Sequence, residues 1–90
     1  MNDIREVLNE RGINYGEFRD FAEIARMFKS IAHHSPSWER MSGVQKEGMD
    51  MVLHKVSRIL NGNPNFMDSW VDIIGYAQLV VDDLNADNRR

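Results

Sequence analysis

Apolar residues recur along this chain at three- and four-residue intervals, and no stretch alternates at period two for long enough to predict a strand. The first helix is predicted over residues 3–10, with Asp3 as its N-cap and Gly12 just beyond its end. The second helix is predicted from Glu17 to about His33, where the apolar residues follow the i, i+3, i+4, i+7 rule of an amphipathic helix. The first half of the chain is therefore predicted to hold a short helix and a longer one.

Two further helices are predicted after a loop that contains Pro36 and Gly43, with space for one helical turn inside the loop. The third helix runs from about residue 42 to residue 60, and the fourth, the most apolar, runs from residue 68 or 69 to about residue 84. The NGNPN segment between them, residues 61–65, is rich in turn-forming residues. A turn this short places the two helices side by side and antiparallel.

Ninety residues make one domain, residues 1–90, with a polar tail at about residues 86–90 that is predicted to fray. A chain of this size buries only about 60–65% of its unfolded surface, so a single copy has a small core. Cysteine is absent, which excludes disulfide bonds as a source of stability. The predicted fold is therefore an all-α bundle of three to four helices, completed by association into a homo-oligomer.

Charge and hydropathy limit the function classes. The N-terminus alternates charged and apolar residues rather than forming a signal peptide, and no apolar run reaches the about 18 residues of a membrane span. A cytoplasmic protein without membrane contact is predicted. The net charge of -3 provides no broad basic surface, which disfavours nucleic acid as a partner.

The polar face of the third helix carries the first candidate chemistry. Glu47, Asp50, His54 and Arg58 step by three, four and four residues, which places them on one face with Lys55 beside them. Converging carboxylates suit Mg²⁺, and neighbouring cations suit phosphate groups. The structural alternative is a solvated face, because acids near the start of a helix and bases near its end complement the helix dipole.

The fourth helix presents a second polar face with Asp68, Asp72 and Tyr76. Antiparallel packing would bring Asp72 and Tyr76 towards Lys55 and Arg58 rather than towards the carboxylates of the third helix, unless a second subunit supplies them. A capping role is the alternative for Asp72, since the segment from residue 69 to residue 72 fits the capping-box pattern.

Two tyrosines, Tyr15 and Tyr76, each lie next to a glycine, and each has both a structural and a functional interpretation. Gly75 and Tyr76 interrupt an aliphatic helix, so either another helix approaches closely there or a ligand reaches the backbone. Tyr15 lies between Gly12 and Gly16 in a predicted tight link, where its ring could pack within the protein or stack on a base.

Three sequence stretches carry a resemblance to a known superfamily. RGINYGEFRDFAEIARMF matches a pattern of tyrosine or histidine, glycine, an acid and an F-x-x-I-A helix; HKVSRI matches L-K-I-A-R-I; and DSWVDIIGYA matches D-N-W-x-D-I-A-G-Y-A. In these stretches the chain resembles the all-α, MazG-like nucleoside triphosphate pyrophosphohydrolases, and in particular a short subgroup common in phages and prophages. The resemblance implies a MazG-like bundle and a nucleotide ligand.

Enzymes of that superfamily hold Mg²⁺ and activate water with a Glu-x-x-Glu motif and a Glu-x-x-Asp motif on separate helices. The corresponding residues here read Glu47-x-x-Asp50 and Ser69-x-x-Asp72, with Asp68 one place early. The resemblance thus implies Glu47, Asp50 and Asp72 as catalytic residues, and the same three with Asp68 as the metal ligands. Ligand contacts are implied for Tyr15, Lys55, Arg58, Trp70 and Tyr76.

Two functions remain in competition at this stage. In the first, the protein uses Mg²⁺ to hydrolyse a nucleoside triphosphate to a monophosphate and pyrophosphate. In the second, it is a non-catalytic phage-type protein that sequesters a nucleotide-like ligand or binds a host protein. Release of pyrophosphate from a panel of triphosphates distinguishes the two.

Overall fold

The helical periodicity corresponds to four α-helices in the computed structural model, which describes residues 3–88. They are α1 (Ile4–Tyr15), α2 (Phe18–His33), α3 (Gly43–Asn61) and α4 (Met67–Asn88), with a 3-10 turn at Trp38–Arg40 in the loop before α3. This part of the chain contains no β-strand. The all-α prediction is confirmed, as is the helical turn within the loop.

The end of α1 differs from the prediction. Asp3 caps the start as expected, with its carboxylate accepting from the backbone N–H of Arg5 at 3.1 Å. The helix does not stop at Gly12, however, but continues to Tyr15 and ends at Gly16, which has φ 77°. Gly16 donates its backbone N–H to the carbonyl of Gly12 at 2.9 Å. Either glycine could end a helix, and the positive φ shows that Gly16 is the one that does.

Helix α3 is the central element and packs against the other three helices. Its start is fixed by a capping box, in which the Ser42 hydroxyl accepts from the Gln45 N–H at 3.1 Å and the Gln45 side chain accepts from the Ser42 N–H at 2.8 Å. Gly48, early in α3, lies so close to Val80, late in α4, that an added Cβ would collide with the valine. The predicted antiparallel hairpin is therefore present.

Helix α4 is longer than predicted. It begins at Met67 and continues to Asn88 instead of ending near residue 84, because the segment after that point contains neither glycine nor proline to stop it. Residues 86–88 of the predicted frayed tail thus belong to α4, whereas residues 89 and 90 lie outside the described residues. No helix within the described range is long and apolar enough to cross a membrane.

The core of the single chain is thin. Among the residues that the structure describes, the buried hydrophobic ones are Phe21, Ala25 and Ile59, and the chain measures 48 × 28 × 25 Å. Its radius of gyration of 15.4 Å exceeds the roughly 12 Å expected for a compact domain of this length. Much apolar surface, notably on α4, therefore stays exposed in one copy.

Candidate functional site

The link between α1 and α2 lies directly on the end of α3 and the turn that follows it. The side-chain amide of Asn61 donates to the carbonyls of Tyr15, at 2.9 Å, and Glu17, at 3.0 Å. The backbone N–H of Asn63 donates to the carbonyl of Asn14 at 2.7 Å. We call this contact between residues 14–17 and residues 58–66 the junction.

Two glycines allow the backbones to meet at the junction. A Cβ added to Gly16 would collide with the carbonyl of Asn61, and one added to Gly62 would collide with the backbone of Asn14 and Tyr15. Gly16 also has φ 77° and ψ -166°, a combination essentially confined to glycine. The junction is thus a close backbone crossing that requires glycine on both sides.

Arg58 and Tyr15 form the centre of the junction. The Arg58 guanidinium lies over the Tyr15 ring, 4.2 Å from its centroid, and 6.0 Å from the ring centroid of Phe21. The Tyr15 ring also packs edge-on against Phe66, with centroids 5.7 Å apart. Tyr15 therefore packs within the protein, and it holds a cation at the position that sequence analysis assigned to ligand binding.

A groove with a volume of about 910 Å³ opens beside the junction, between α1, the start of α2 and α3. This volume lies within the roughly 300–1,000 Å³ typical of small-molecule sites. Its lining includes two arginines, three aromatic rings and one histidine, namely Arg11, Arg58, Tyr15, Phe18, Phe21 and His54. Glu17 contributes a single acidic side chain. The groove thus combines cations with aromatic surface.

His54 reports on the electrostatics of the groove wall. Burial, followed by the positive charges of Arg58, Lys29 and Lys55, lowers the pKa of His54 to about 4. Its ring packs edge-on against Phe21 with centroids 4.9 Å apart. His54 is therefore a neutral imidazole near pH 7, in surroundings that disfavour an added positive charge.

Lys55 and Asp72 are brought together across the α3–α4 hairpin. The Lys55 ammonium lies 3.0 Å from a carboxylate oxygen of Asp72, and the side chains are 12% and 45% exposed. Antiparallel packing predicted an approach of this kind. The contact assigns Asp72 to an ion pair with a mostly buried lysine, so a metal at Asp72 would have to compete with Lys55.

The four predicted metal ligands do not converge within one chain. A carboxylate oxygen of Asp50 lies 2.8 Å from Nε2 of His33, within hydrogen-bond distance. Glu47 and Asp68 are exposed. Within residues 3–88, no three His, Asp or Glu residues form a group that could hold a metal ion. The Mg²⁺ site of Glu47, Asp50, Asp68 and Asp72 remains a prediction that needs carboxylates from a second copy.

The remaining predicted residues lie on α4, outside the groove. Trp70 donates its indole N–H to the carbonyl of Pro64 at 2.8 Å, which anchors the turn before α4. Tyr76 is half-buried, and its backbone carbonyl faces Gly48. A Cβ built at Gly75 meets no atom of another helix within 4 Å, so close approach of another helix, one of the two roles considered for Gly75, does not occur within the described part of the chain. That approach occurs at Gly48 instead.

Comparison with known families finds one family that matches most of the chain. Residues 1–83 match a family described as a domain of unknown function, DUF6378. The chain belongs to the DUF6378 family. Searches of curated proteins and of solved structures found no match. The family description supplies neither ligand nor activity, so the function of this DUF6378 protein has to be argued from its groove and junction.

Sequence reasoning missed several groove and junction residues. Arg11 and Phe18 lie in the same resembling stretch as Tyr15, so their neighbourhood in sequence was a usable signal. His54 was placed on the polar face of α3 without a role in the site. Asn61 was read only as a turn residue, and its two carbonyl contacts depend on a crossing that the sequence does not display.

Proposed function

We propose that this DUF6378 protein is a MazG-like nucleotide-binding protein whose ligand occupies the groove beside the junction. The observation that carries the proposal is the Arg58 guanidinium, held over the Tyr15 ring in the wall of a groove that Arg11 also lines. A guanidinium fixed in this way is preorganised for phosphate oxygens, because it loses little conformational freedom on binding.

The groove offers distinct surfaces to the two ends of a nucleotide. Arg11 and Arg58 suit the phosphates. Burial is the main cause that lowers the pKa of His54 to about 4, and the positive charges that add to it are complementary to an anion. Phe18 contacts the Phe21 ring, with centroids 5.9 Å apart, but is 77% exposed and so offers aromatic surface on which a base can stack. The neutral imidazole of His54 can exchange a hydrogen bond with the ligand without competing for charge.

The resemblance to MazG-like proteins supports the same ligand class. Tyr15 and Arg58 come from two of the three resembling stretches, and the structure brings them into contact. The proposal assigns no ligand contact to Lys55, Trp70 or Tyr76, which do not line the groove. Lys55 is paired with Asp72, and Trp70 anchors the turn before α4.

Binding and hydrolysis are separable parts of the proposal. Hydrolysis of a triphosphate with Mg²⁺ would require Glu47 and Asp50 to meet Asp68 and Asp72, which a homo-oligomer could achieve and one chain does not. Nucleotide binding in the groove does not need these carboxylates, and in the non-catalytic form a phage-type protein sequesters a nucleotide-like ligand without hydrolysing it. A host protein as the target is the remaining alternative.

Calorimetric titration tests the proposal directly. Nucleoside mono-, di- and triphosphates are titrated into the protein with and without Mg²⁺, and pyrophosphate release is measured on the same samples. We expect saturable binding that strengthens with the number of phosphates. Pyrophosphate release that depends on Mg²⁺ would establish the enzyme, and binding without release would establish sequestration. If none of the nucleotides binds, the result contradicts the proposal and favours the host-protein alternative.

A further inference from the structure

The outer face of α4 carries an apolar stripe with a regular period. Six residues recur at intervals of three, four, three, four and three, and all six are exposed in the single chain: Met67, Trp70, Ile74, Ala77, Val81 and Leu84. We call this stripe the α4 seam. Ile74 is 69% exposed and Met67 71% exposed, so the chain itself leaves the seam uncovered.

A separate stripe attaches α4 to the rest of the protein. Ser69 is buried, while Ile73 and Val80 are half-buried, and Val80 meets Gly48 of α3. These positions lie on the side of the helix next to the seam rather than within it. Helix α4 therefore has two apolar surfaces, of which one is satisfied inside the chain and the other is not.

The period of the α4 seam fits a second helix as the structure that covers it. Apolar residues alternating at three and four residues are the a and d positions of a heptad, which pack against a helix carrying the same repeat. The flanking positions on the open side are Val71, Gln78 and Asn85, none of them charged. Nothing in this surface selects a partner of opposite charge, and two identical seams can meet without repulsion between flanking charges.

The single chain exposes more surface area than a folded monomer of its mass should, which is consistent with an interface to another molecule. The chain exposes 6941 Å², whereas a folded monomer of 10.5 kDa is expected to expose about 5,400 Å². The excess is larger than the roughly 800 Å² that each partner buries in a complex of standard size. A helix of 22 residues is also long enough, at about 33 Å, for three heptads.

We propose that the α4 seam packs against the α4 seam of a second copy of this chain, in a two-fold symmetric dimer. The proposal rests on the homo-oligomeric state suggested above and names the surface that produces it. A two-fold contact uses the same patch on both copies, which a self-complementary heptad seam provides. Nucleotide binding in the groove is independent of this contact, because the groove is formed by α1, α2 and α3.

Sedimentation equilibrium of a matched pair of variants tests the interface. Ile74→Glu places a charge within the seam, and Leu79→Glu places the same charge on α4 outside it, at a residue 61% exposed. We expect wild type and Leu79→Glu to be dimers at micromolar concentration. Ile74→Glu should raise the dissociation constant by about a hundredfold or more, because the dimer would bury an unpaired carboxylate.

Circular dichroism of both variants completes the test. Ile74 is exposed in the single chain, so loss of helix in Ile74→Glu but not in Leu79→Glu would also show that the seam is buried between copies. A wild-type monomer would overturn both the seam and the homo-oligomer. A dimer that Ile74→Glu leaves intact, or that both variants weaken equally, would overturn the seam alone. Calorimetry with a nucleotide on the same samples reports separately on the groove.

Discussion

The junction and the α4 seam show opposite uses of surface within one small chain. At the junction, backbone meets backbone, the Asn61 amide is bonded to two carbonyls, and Arg58 is held over the Tyr15 ring. Along the seam, six regularly spaced apolar side chains contact no other element closely enough to be buried. The difference teaches that the chain forms the groove beside the junction by itself, whereas its long helix α4 leaves an apolar stripe uncovered.

Two glycine-to-alanine substitutions should have the largest and most different effects on the free energy of unfolding. Gly16→Ala should lower the free energy of unfolding by about 3 kcal/mol or more, because the new methyl group collides with the Asn61 carbonyl and φ 77° strains any other residue. Gly75→Ala should instead raise it by up to about 1 kcal/mol, since a Cβ there meets nothing within 4 Å and alanine favours a helix. Urea denaturation at one fixed protein concentration measures both.

The ion pair between α3 and α4 should give the next largest effect. Asp72→Asn leaves the Lys55 ammonium, 12% exposed, without its partner, and should cost about 2 kcal/mol of stability. The double variant Lys55→Met with Asp72→Asn should recover part of that loss, because no unpaired charge remains. Because α4 begins at Met67, Asp72 lies inside the helix and the capping-box role predicted for it is wrong. A loss of about 1 kcal/mol or less, with no recovery in the double variant, would indicate that the ion pair contributes little to stability.

Removing the cation from the junction should act on ligand binding rather than on folding. Arg58→Met keeps an extended apolar side chain against Tyr15 but removes the guanidinium, and should weaken nucleotide binding tenfold or more, about 1.4 kcal/mol. Arg26→Met, at an exposed arginine of α2 outside the groove, is the matched control. Equal affinities of the two variants in calorimetry would remove Arg58 from the site.

His54 should give the smallest effect, seen as a dependence of stability on pH. Its pKa is about 4 in the folded protein against an ordinary value of 6.5, so between these values the unfolded chain binds a proton that the folded chain does not. Stability should therefore fall as the pH falls through this window, by about 1 kcal/mol after allowance for solvent screening of a partly exposed ring. Denaturation of His54→Gln should lack that part of the pH dependence; an unchanged dependence would contradict the assignment.

Helix positions could be predicted from the sequence because each helix repeats its apolar residues at a helical period. The end of α1 could not, since Gly12 and Gly16 are equivalent in sequence and only the crossing with Asn61 selects Gly16. The face of α4 that packs against α3 could not be predicted from the sequence either. Two apolar stripes run side by side along it, and the structure alone distinguishes the stripe that faces α3 from the seam that faces outwards.

The candidate site was predictable where residues of opposite character had to meet across a known hairpin, as with Lys55 and Asp72. It was not predictable where the decisive neighbour comes from a helix outside that hairpin. Asp50 shares a face with Glu47 and Arg58 on α3, yet its partner is His33 of α2. Periodicity assigns side chains to a face of a helix, but it does not show what that face meets.

Amide chemical shifts recorded by NMR during a nucleoside triphosphate titration test the central claim most directly. The account predicts that the largest shift changes fall on Arg11, Tyr15, Gly16 and Arg58, around the groove and the junction, and that they saturate together. Shift changes centred on Glu47 and Asp68, with the junction unaffected, would contradict the account.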